Sequence, residues 1–595
     1  MRVTRGFYVG VPLILFALIL AGAPVRTQDA SGEASISGTV KSSAGQPMAG
    51  VTVSMRGAGQ TITTSVFTDE QGNYRTPPLP RREYALWAQA VGFERAETTV
   101  QPATGQVQQV AELTLRALAP TDPRFDKQLS GVELFQSMGD DTAELRRGKR
   151  LLANNCTGCH NISWVLRNKW DERGWDILVR TMSMTPDGNE RESDTMANPV
   201  HGVYREELAA FLANVRGPKS TMTPRLLPRP TGEAARVVIT EYDLPRAQIP
   251  SPTMRYDGSD WSLGTPGRHE GRAVHTMSID SKGIIWFSDD RSVGRTVGRL
   301  DPSTGEVQDF MLPNMETGGA VATHGVAMAP NDMPWLTSSG GLFRYNPQAA
   351  DFDVFNRPGD MPRAGGTNVV DSKGNGWVVA QNGAIKVDPL TGEYTYYEAV
   401  DAGRSGHYGI AVDALDNAYF TQPGIDKVGV VNGQTGEVSE VGFEPQLEDA
   451  LPRDRDNYTN PKIRASQNAA TPMHKCPRRI GGDTHGEYVY VALYCSDKIA
   501  SIHMRTHEVK EYTLPVKYAG PYAIVVDGKG MVWVNMMNTD MVAKFNPQTE
   551  QFTMYHLPIR GSDVRYVGVD NRTDPPTIYA ASNRVNKIIR LQFPG

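Results

Sequence analysis

From about residue 236 to the end the chain repeats itself: an aromatic centred in a strand recurs at Trp286, Trp335, Trp377, Tyr419, Tyr490, Trp533 and Tyr579. The intervals are 49, 42, 42, 71, 43 and 46 residues. All but the fourth fit the ~40–50 residues of a four-stranded propeller blade. The long interval holds an insertion over roughly 445–478, rich in Asn, Pro and charge. Further strands follow each aromatic one, with closing strands such as 305–313 and 508–515. The last repeat ends at Phe593 before its closing strand, while an unmatched closing strand, 237–245, precedes the first. Pairing that strand with the last blade closes a ring and hides its edges. The sequence therefore predicts a seven-bladed all-β propeller over 236–595.

At 595 residues the chain is long enough for several domains. Its net charge of −5 is near neutral for this size and gives no sign of a nucleic-acid partner. Residues 1–30 read as a signal peptide: Arg2 and Arg5, an uncharged apolar run from Gly6 to Val25, and small residues Ala21-Gly22-Ala23 at its end. Whether the run is cleaved or kept as an anchor, the rest is expected to be exported, to a periplasmic compartment. Cys476 and Cys495 are then expected to form a disulfide, whose closed loop contributes roughly 3 kcal/mol in the chain-entropy model.

Residues 35–117 alternate at period two in short runs such as 35–40, 50–55 and 84–88, with turns at Gly45-Gln46-Pro47 and Asp69 to Gly72. A small antiparallel β-sandwich is the expected fold. On Gly38, Val40, Gly45, Pro47, Gly50-Val51, Val53, Thr68-Asp69, Gly72, Tyr74, Leu79-Pro80, Tyr84 and Gly92-Phe93 this segment resembles the carboxypeptidase regulatory-like family. That resemblance implies a non-catalytic accessory module. Residues 118–141 lack periodicity and are expected to be linker. Helical spacing starts at Thr142, which can cap 143–152, and returns near 172–182 and 204–212. The unit 142–216 is expected to be all-α.

That unit contains Cys156-Thr157-Gly158-Cys159-His160. Two thiols at this spacing, with a His beside the second, suit covalent attachment of one haem c through Cys156 and Cys159, with His160 on the iron. A thioredoxin-like pair would sit near a βαβ pattern, and a closed zinc site would need ligands that the two distant cysteines are too far away to supply. With Gly148, the Cys–His signature and a final helix ending at Leu212, the unit resembles the small monohaem cytochromes c. The resemblance implies a Met as sixth ligand from a Trp-containing helix. Met182, after Trp175, is the candidate; Met184 is the alternative, with Met196 as a further competitor.

The propeller carries His275 to Asp280 before Trp286-Phe287, and His407 to Asp413, and on these motifs resembles the virginiamycin B (streptogramin) lyase-like family. Counting back eleven or twelve residues from the repeat aromatics gives His275, His324, Gly366, His407, Arg479 and Tyr522, with Arg565 in the last blade. These positions should ring one mouth of the channel. His275, His324 and His407 are the catalytic candidates, although repeat inheritance alone would also place them there. Lyases of the family carry Glu three residues after the blade aromatic, together with a divalent metal. Here those positions are Asp289, Ser338, Ala380, Gln422, Leu493, Met536 and Ser582, and only Asp289 keeps a carboxylate.

The expected function is one-electron transfer through the haem to a redox partner protein. The propeller would serve as docking body, with a small-molecule or polymer ligand at its mouth. The alternatives are a streptogramin-lyase-like carbon–oxygen lyase, and a non-enzymatic binding protein with a redox module.

Overall fold

The computed structural model describes residues 34–102, 107–109, 112–158, 160–184, 199–245, 257–266, 274–289, 295–312, 323–338, 341–402, 407–460, 463, 465 and 469–594. The expected signal segment 1–30 lies outside them. Among the described residues no helix is long and apolar enough to cross a membrane.

Residues 35–115 form two sheets facing each other over Ile36, Val40, Val53, Leu86 and Leu115, all fully buried. In one, Ser35–Ser42 runs antiparallel to Asn73–Arg75 but parallel to Val107–Gln109 and Leu113–Leu115. The parallel pairs correct the expected antiparallel sandwich. The chain re-enters this sheet by crossing from the other one, and a crossover, unlike a hairpin, can deliver a parallel strand. The second sheet sets Thr52–Gly57 between Ile62–Phe67 and Tyr84–Gln89, all antiparallel.

The segment expected to be linker, 118–141, is helical and packed. Asp122 caps α1 (Pro123–Gln128), with Pro123 in the first turn, and Ser130 with Glu133 forms a capping box on α2 (Gly131–Ser137). Leu129, Leu134 and Phe135 enter the core shared by α3 (Ala143–Cys156), α4 (Ile162–Leu166), α5 (Glu172–Ser183) and α6 (Pro199–Arg216). Thr142 caps α3 by accepting the Leu145 N–H at 3.2 Å. A side chain at Gly148 would place its Cβ 2.2 Å from the Phe211 ring, so glycine permits the approach of α3 to α6.

Seven four-stranded antiparallel sheets follow. Six are continuous in sequence, spanning 274–310, 323–356, 364–398, 410–442, 477–513 and 521–556. The seventh joins 564–592 to the upstream strand Val238–Asp243, which pairs Glu241 with Ile589. The innermost strands neighbour one another all round, and Val564–Asp570 lies beside Val274–Ile279, so the ring is closed. The closing strand is not the outer edge, however. Ile62–Phe67 of the sandwich pairs with it, Ser65 opposite Ile239, making one eight-stranded sheet through both domains.

Four of the seven repeat aromatics are fixed by an Asp six residues earlier: Trp286 Nε1 donates to Asp280 at 3.3 Å, Trp377 Nε1 to Asp371 at 2.9 Å, Trp533 Nε1 to Asp527 at 2.8 Å, and the Tyr419 hydroxyl to Asp413 at 2.9 Å. The insertion forms α7 (Pro452–Thr459) and binds the helical unit. Asp454 accepts from Arg147 Nη2 at 3.0 Å and from the Tyr204 hydroxyl at 2.8 Å, and Asp449 accepts from Arg146 Nε at 2.8 Å.

Candidate functional site

Helix α3 ends at Cys156, and the segment after it lies against the propeller. The Thr157 hydroxyl donates to Ala153 O at 2.6 Å and meets the Tyr494 hydroxyl at 2.5 Å. Arg565 Nη2 donates to Gly158 O at 3.3 Å. Asn154 Nδ2 reaches Thr471 O at 3.0 Å, and Asn155 Nδ2 reaches Ala470 O at 3.1 Å. Cys156 is half-buried. His160 is largely enclosed: burial, then the charge of Arg584, holds its imidazole below the usual range. Its Nδ1 is buried with no hydrogen-bond partner among the described residues. Cys159 and Met196 lie outside the described residues. Met182 and Met184 stand at the end of α5, 39% and 59% exposed.

The ring mouth next to this segment is built by irregularities in the innermost strands. Register shifts fall between Val274 and Met277, Thr323 and Val326, Ala364 and Asn368, Pro477 and Ile480, Pro521 and Ile524, and Val564 and Tyr566. Such bulges re-aim side chains and leave ladder groups unpaired. In four blades a hydroxyl or amide two residues after the aromatic (Ser288, Thr337, Thr421 and Asn535) bonds across to the next blade. Ser288 accepts the Thr276 N–H at 3.0 Å and donates to His324 O of the next blade at 2.8 Å. Thr421 accepts from Gly409 N at 2.8 Å and donates to Arg478 O at 2.7 Å; Asn535 accepts from Ala523 N at 2.8 Å and donates to Val564 O at 2.6 Å. Each relay fixes a mouth residue from the neighbouring blade.

The mouth holds basic and aromatic side chains. The His275 and His324 rings lie 3.9 Å apart, and Arg479 Nη2 sits 3.3 Å from both His275 Nδ1 and Thr276 Oγ1. The Tyr408 hydroxyl is 3.5 Å from His324 Nε2 and hydrogen-bonds the Tyr522 hydroxyl. The Arg478 guanidinium covers the rings of Tyr408, Tyr494 and Tyr522 at 5.1, 4.5 and 4.6 Å. Arg565 pairs with Asp563 at 3.1 Å, and Asp563 also takes Arg584 Nε at 2.6 Å. Burial pushes the Tyr522 phenol up, but the charges of Arg479, Arg478 and Arg565 outweigh it and hold the phenol at about 7. Tyr408, buried beside the Tyr522 oxygen, is pushed up to about 12.

The Cys476–Cys495 disulfide, with Cα atoms 5.4 Å apart, closes one side of the mouth. Tyr494 N donates to Cys476 O at 3.1 Å. The bridge thus ties the Tyr494 segment to the strand Pro477–Gly482, which carries Arg478 and Arg479.

Of the three candidate histidines, His275 and His324 come together and His407 does not join them. Its Nδ1 accepts the Asn382 N–H at 3.1 Å, its ring lies 6.0 Å from Phe420, and burial lowers its imidazole to about 4. The neighbouring Tyr408 faces the mouth instead: it stands eleven residues before Tyr419, the offset shared by His275, His324, Gly366, Arg479 and Tyr522, whereas His407 stands twelve before it. Arg478, Tyr494 and Tyr566 also belong to the site and were missed. Paired arginines after Cys476, and the Ser, Thr or Asn two places beyond a repeat aromatic, are the signals that could have marked it. Asp289, at the family's Glu position, is fully buried in an ion pair with Arg295 at 2.8 Å. Among the described residues no group of three or more His, Cys, Asp or Glu is placed to hold a metal ion. A cavity of about 280 Å³ lies away from the mouth, lined by Gln89, Phe93, Glu133, Trp261, His556 and Arg560 among others.

No curated protein sequence matches the chain. Among solved structures, a virginiamycin B lyase from Staphylococcus aureus is 14% identical, covering 60% of this chain and 100% of its own, at a TM-score of 0.45. A streptogramin B lyase is 16% identical over 61% of this chain and 100% of its own, at 0.46. A hydrazine synthase from Kuenenia stuttgartiensis is 12% identical over 56% of this chain and 98% of its own, at 0.41. Likeness at this level says nothing about activity, and the ring rests on the strand pairing described above. Residues 35–116 match the family model of the carboxypeptidase regulatory-like domain, which covers the sandwich and no other part of the chain.

Proposed function

We propose that this protein is an exported c-type cytochrome that passes single electrons to a redox partner protein, with the propeller mouth as the surface that holds its ligand. One observation carries the reading: Thr157 and Gly158, which follow Cys156 at the end of α3, are fastened onto the mouth. The residues present suit a covalently attached haem. Cys156 is half-buried, and His160 is enclosed with an unengaged Nδ1 among the described residues. When bound to Cys156, Cys159 and His160, a haem supplies a one-electron couple whose potential is tuned by the opposite ligand and by burial. Met182, with Met184 as alternative, is proposed for that opposite position, since both stand accessible at the end of α5. The protein's own contribution is to hold the segment still and to exclude water from one side. Asn154, Asn155, Thr157 and Arg565 do this through hydrogen bonds across the two domains. Export accords with the Cys476–Cys495 bridge, since disulfides persist in oxidising compartments.

The lyase alternative draws no support from Asp289, whose carboxylate is consumed by Arg295 inside the blade. A reduced-minus-oxidised absorbance spectrum of the purified protein tests the cytochrome reading. A c-type α-band that disappears in Cys156→Ala is expected, and a spectrum without that band sinks the proposal. Met182→Ala should convert a low-spin Met-ligated spectrum to high spin; an unchanged spectrum moves the assignment to Met184.

A further inference from the structure

We propose that the propeller mouth is a binding site for a small carboxylate, held by the guanidiniums of Arg479 and Arg565 between the rings of Tyr408, Tyr522 and Tyr566. Both arginines are buried. Arg479 reaches His275 and Thr276 through Nη2 and is further held by the Tyr522 hydroxyl, while its Nε and Nη1 have no geometric hydrogen-bond partner among the described residues. It forms no ion pair with a carboxylate there; the groups around it are the rings of Tyr408, Tyr522 and Tyr566 at 5.5, 5.3 and 5.2 Å. Arg565 bonds Gly158 O and Asp563 through Nη2, and its Nε is likewise without a partner. Among the described residues, the one carboxylate bonded to Arg565 is shared with Arg584.

A buried guanidinium with idle N–H groups is costly unless an anion or other acceptor completes it. The planar fork of arginine matches the two oxygens of a carboxylate. The faces of the tyrosine rings supply flat apolar walls for the body of such a ligand, while the Tyr408 and Tyr522 hydroxyls bond each other. The strand bulges that turn Arg479 and Arg565 inward are the kind of irregularity found beside binding sites.

Two sources offer this chemistry: a diffusible organic acid, and the propionate groups of the haem itself. The second source rests on the cytochrome reading, because Arg565 touches the Cys156–His160 segment.

The test is calorimetric titration of benzoate into the purified full-length holoprotein, with inorganic phosphate as the comparison anion. Binding of benzoate that falls tenfold or more in Arg479→Gln, with phosphate weaker, supports a diffusible carboxylate. Binding seen only in the haem-free full chain (Cys156→Ser, Cys159→Ser), and lost there on adding Arg479→Gln, assigns the site to the haem's own carboxylates. Should the haem-free chain fail to fold, Arg565→Gln in the holoprotein decides. A midpoint potential that loses its pH dependence near neutrality marks propionates, and an unaltered one, with no benzoate binding, overturns the proposal. Preference for phosphate, or equal benzoate binding by wild type and Arg479→Gln, overturns it as well. If the chain carries no haem, the cytochrome reading falls while benzoate binding still tests the site.

Discussion

Tyr522 sits where the guanidiniums of Arg478, Arg479 and Arg565 converge, each 4.6–5.4 Å from its ring. Their charge outweighs burial and holds the phenol at about 7. One tyrosine of the native protein should therefore ionise near neutral pH. A pH titration of tyrosinate absorbance should show that step in the wild type and lose it in Tyr522→Phe; no ionisation below pH 9 would contradict it. Asp454 illustrates the opposite balance. Burial raises its carboxyl, but hydrogen bonds from Arg147, the Leu451 N–H and Tyr204 bring it below the usual range. Its stabilising effect is present above the unfolded carboxyl value of about 4 and lost as pH falls through the lower folded value. Acid should thus loosen the helical unit from α7, as read by protease cleavage near residue 220. Asp454→Asn, which leaves Arg147 buried without that charge, should cost about 3 kcal/mol at pH 7 in urea denaturation.

At the scale of elements, α3 is constrained at both ends. Near its middle, Gly148 lets Phe211 of α6 come into contact. Gly148→Ala must displace that ring, so a loss of about 1–3 kcal/mol is expected from overpacking. Helical circular dichroism followed during thermal melting measures it, and an unchanged melt would refute the close packing. The Cys476–Cys495 bridge anchors the strand Pro477–Gly482, which carries Arg478 and Arg479. Cys476→Ser with Cys495→Ser should lower stability by about 3 kcal/mol on loop-closure grounds. It should also weaken any ligand of the mouth, and intact affinity would mean that the arginines are positioned without it. The helices of 123–137 show how local signals can be passed over. Asp122-Pro123 and Ser130 to Glu133 are helix starts written in the sequence. They head such short helices that only packing against α3 to α6, through Leu129, Leu134 and Phe135, makes them stable.

Across the whole molecule, the sandwich, helical unit and ring are one assembly. The sandwich strand Ile62–Phe67 covers the outer edge of the seventh blade. Deleting residues 34–117 would expose Val238–Asp243 along its backbone, and an uncovered edge strand is a template for association. Size-exclusion chromatography of the truncated protein should show dimers or larger species where the full chain runs as a smaller one; a well-behaved truncation would contradict the covering role.

The repeat of aromatics and the displaced closing strand were enough to determine the ring and the pairing of 237–245 with the last blade, because blade length and strand alternation are local properties. The Cys–x–x–Cys–His motif is likewise legible from spacing alone, and the haem proposed for it rests on that spacing. Tertiary structure decided which residues meet. Counting eleven back from the aromatics found His275 and His324, whereas counting twelve in the fourth blade put His407 where Tyr408, at eleven, stands. It also decided that Thr157 and Gly158 rest on the ring mouth, and that Arg479 and Arg565 lie buried with donors that no described residue takes up. Those contacts join residues 200 to 400 positions apart, such as Arg479 with His275 and Arg565 with Gly158. No local pattern encodes them; they follow from how the closed ring and the helices pack together.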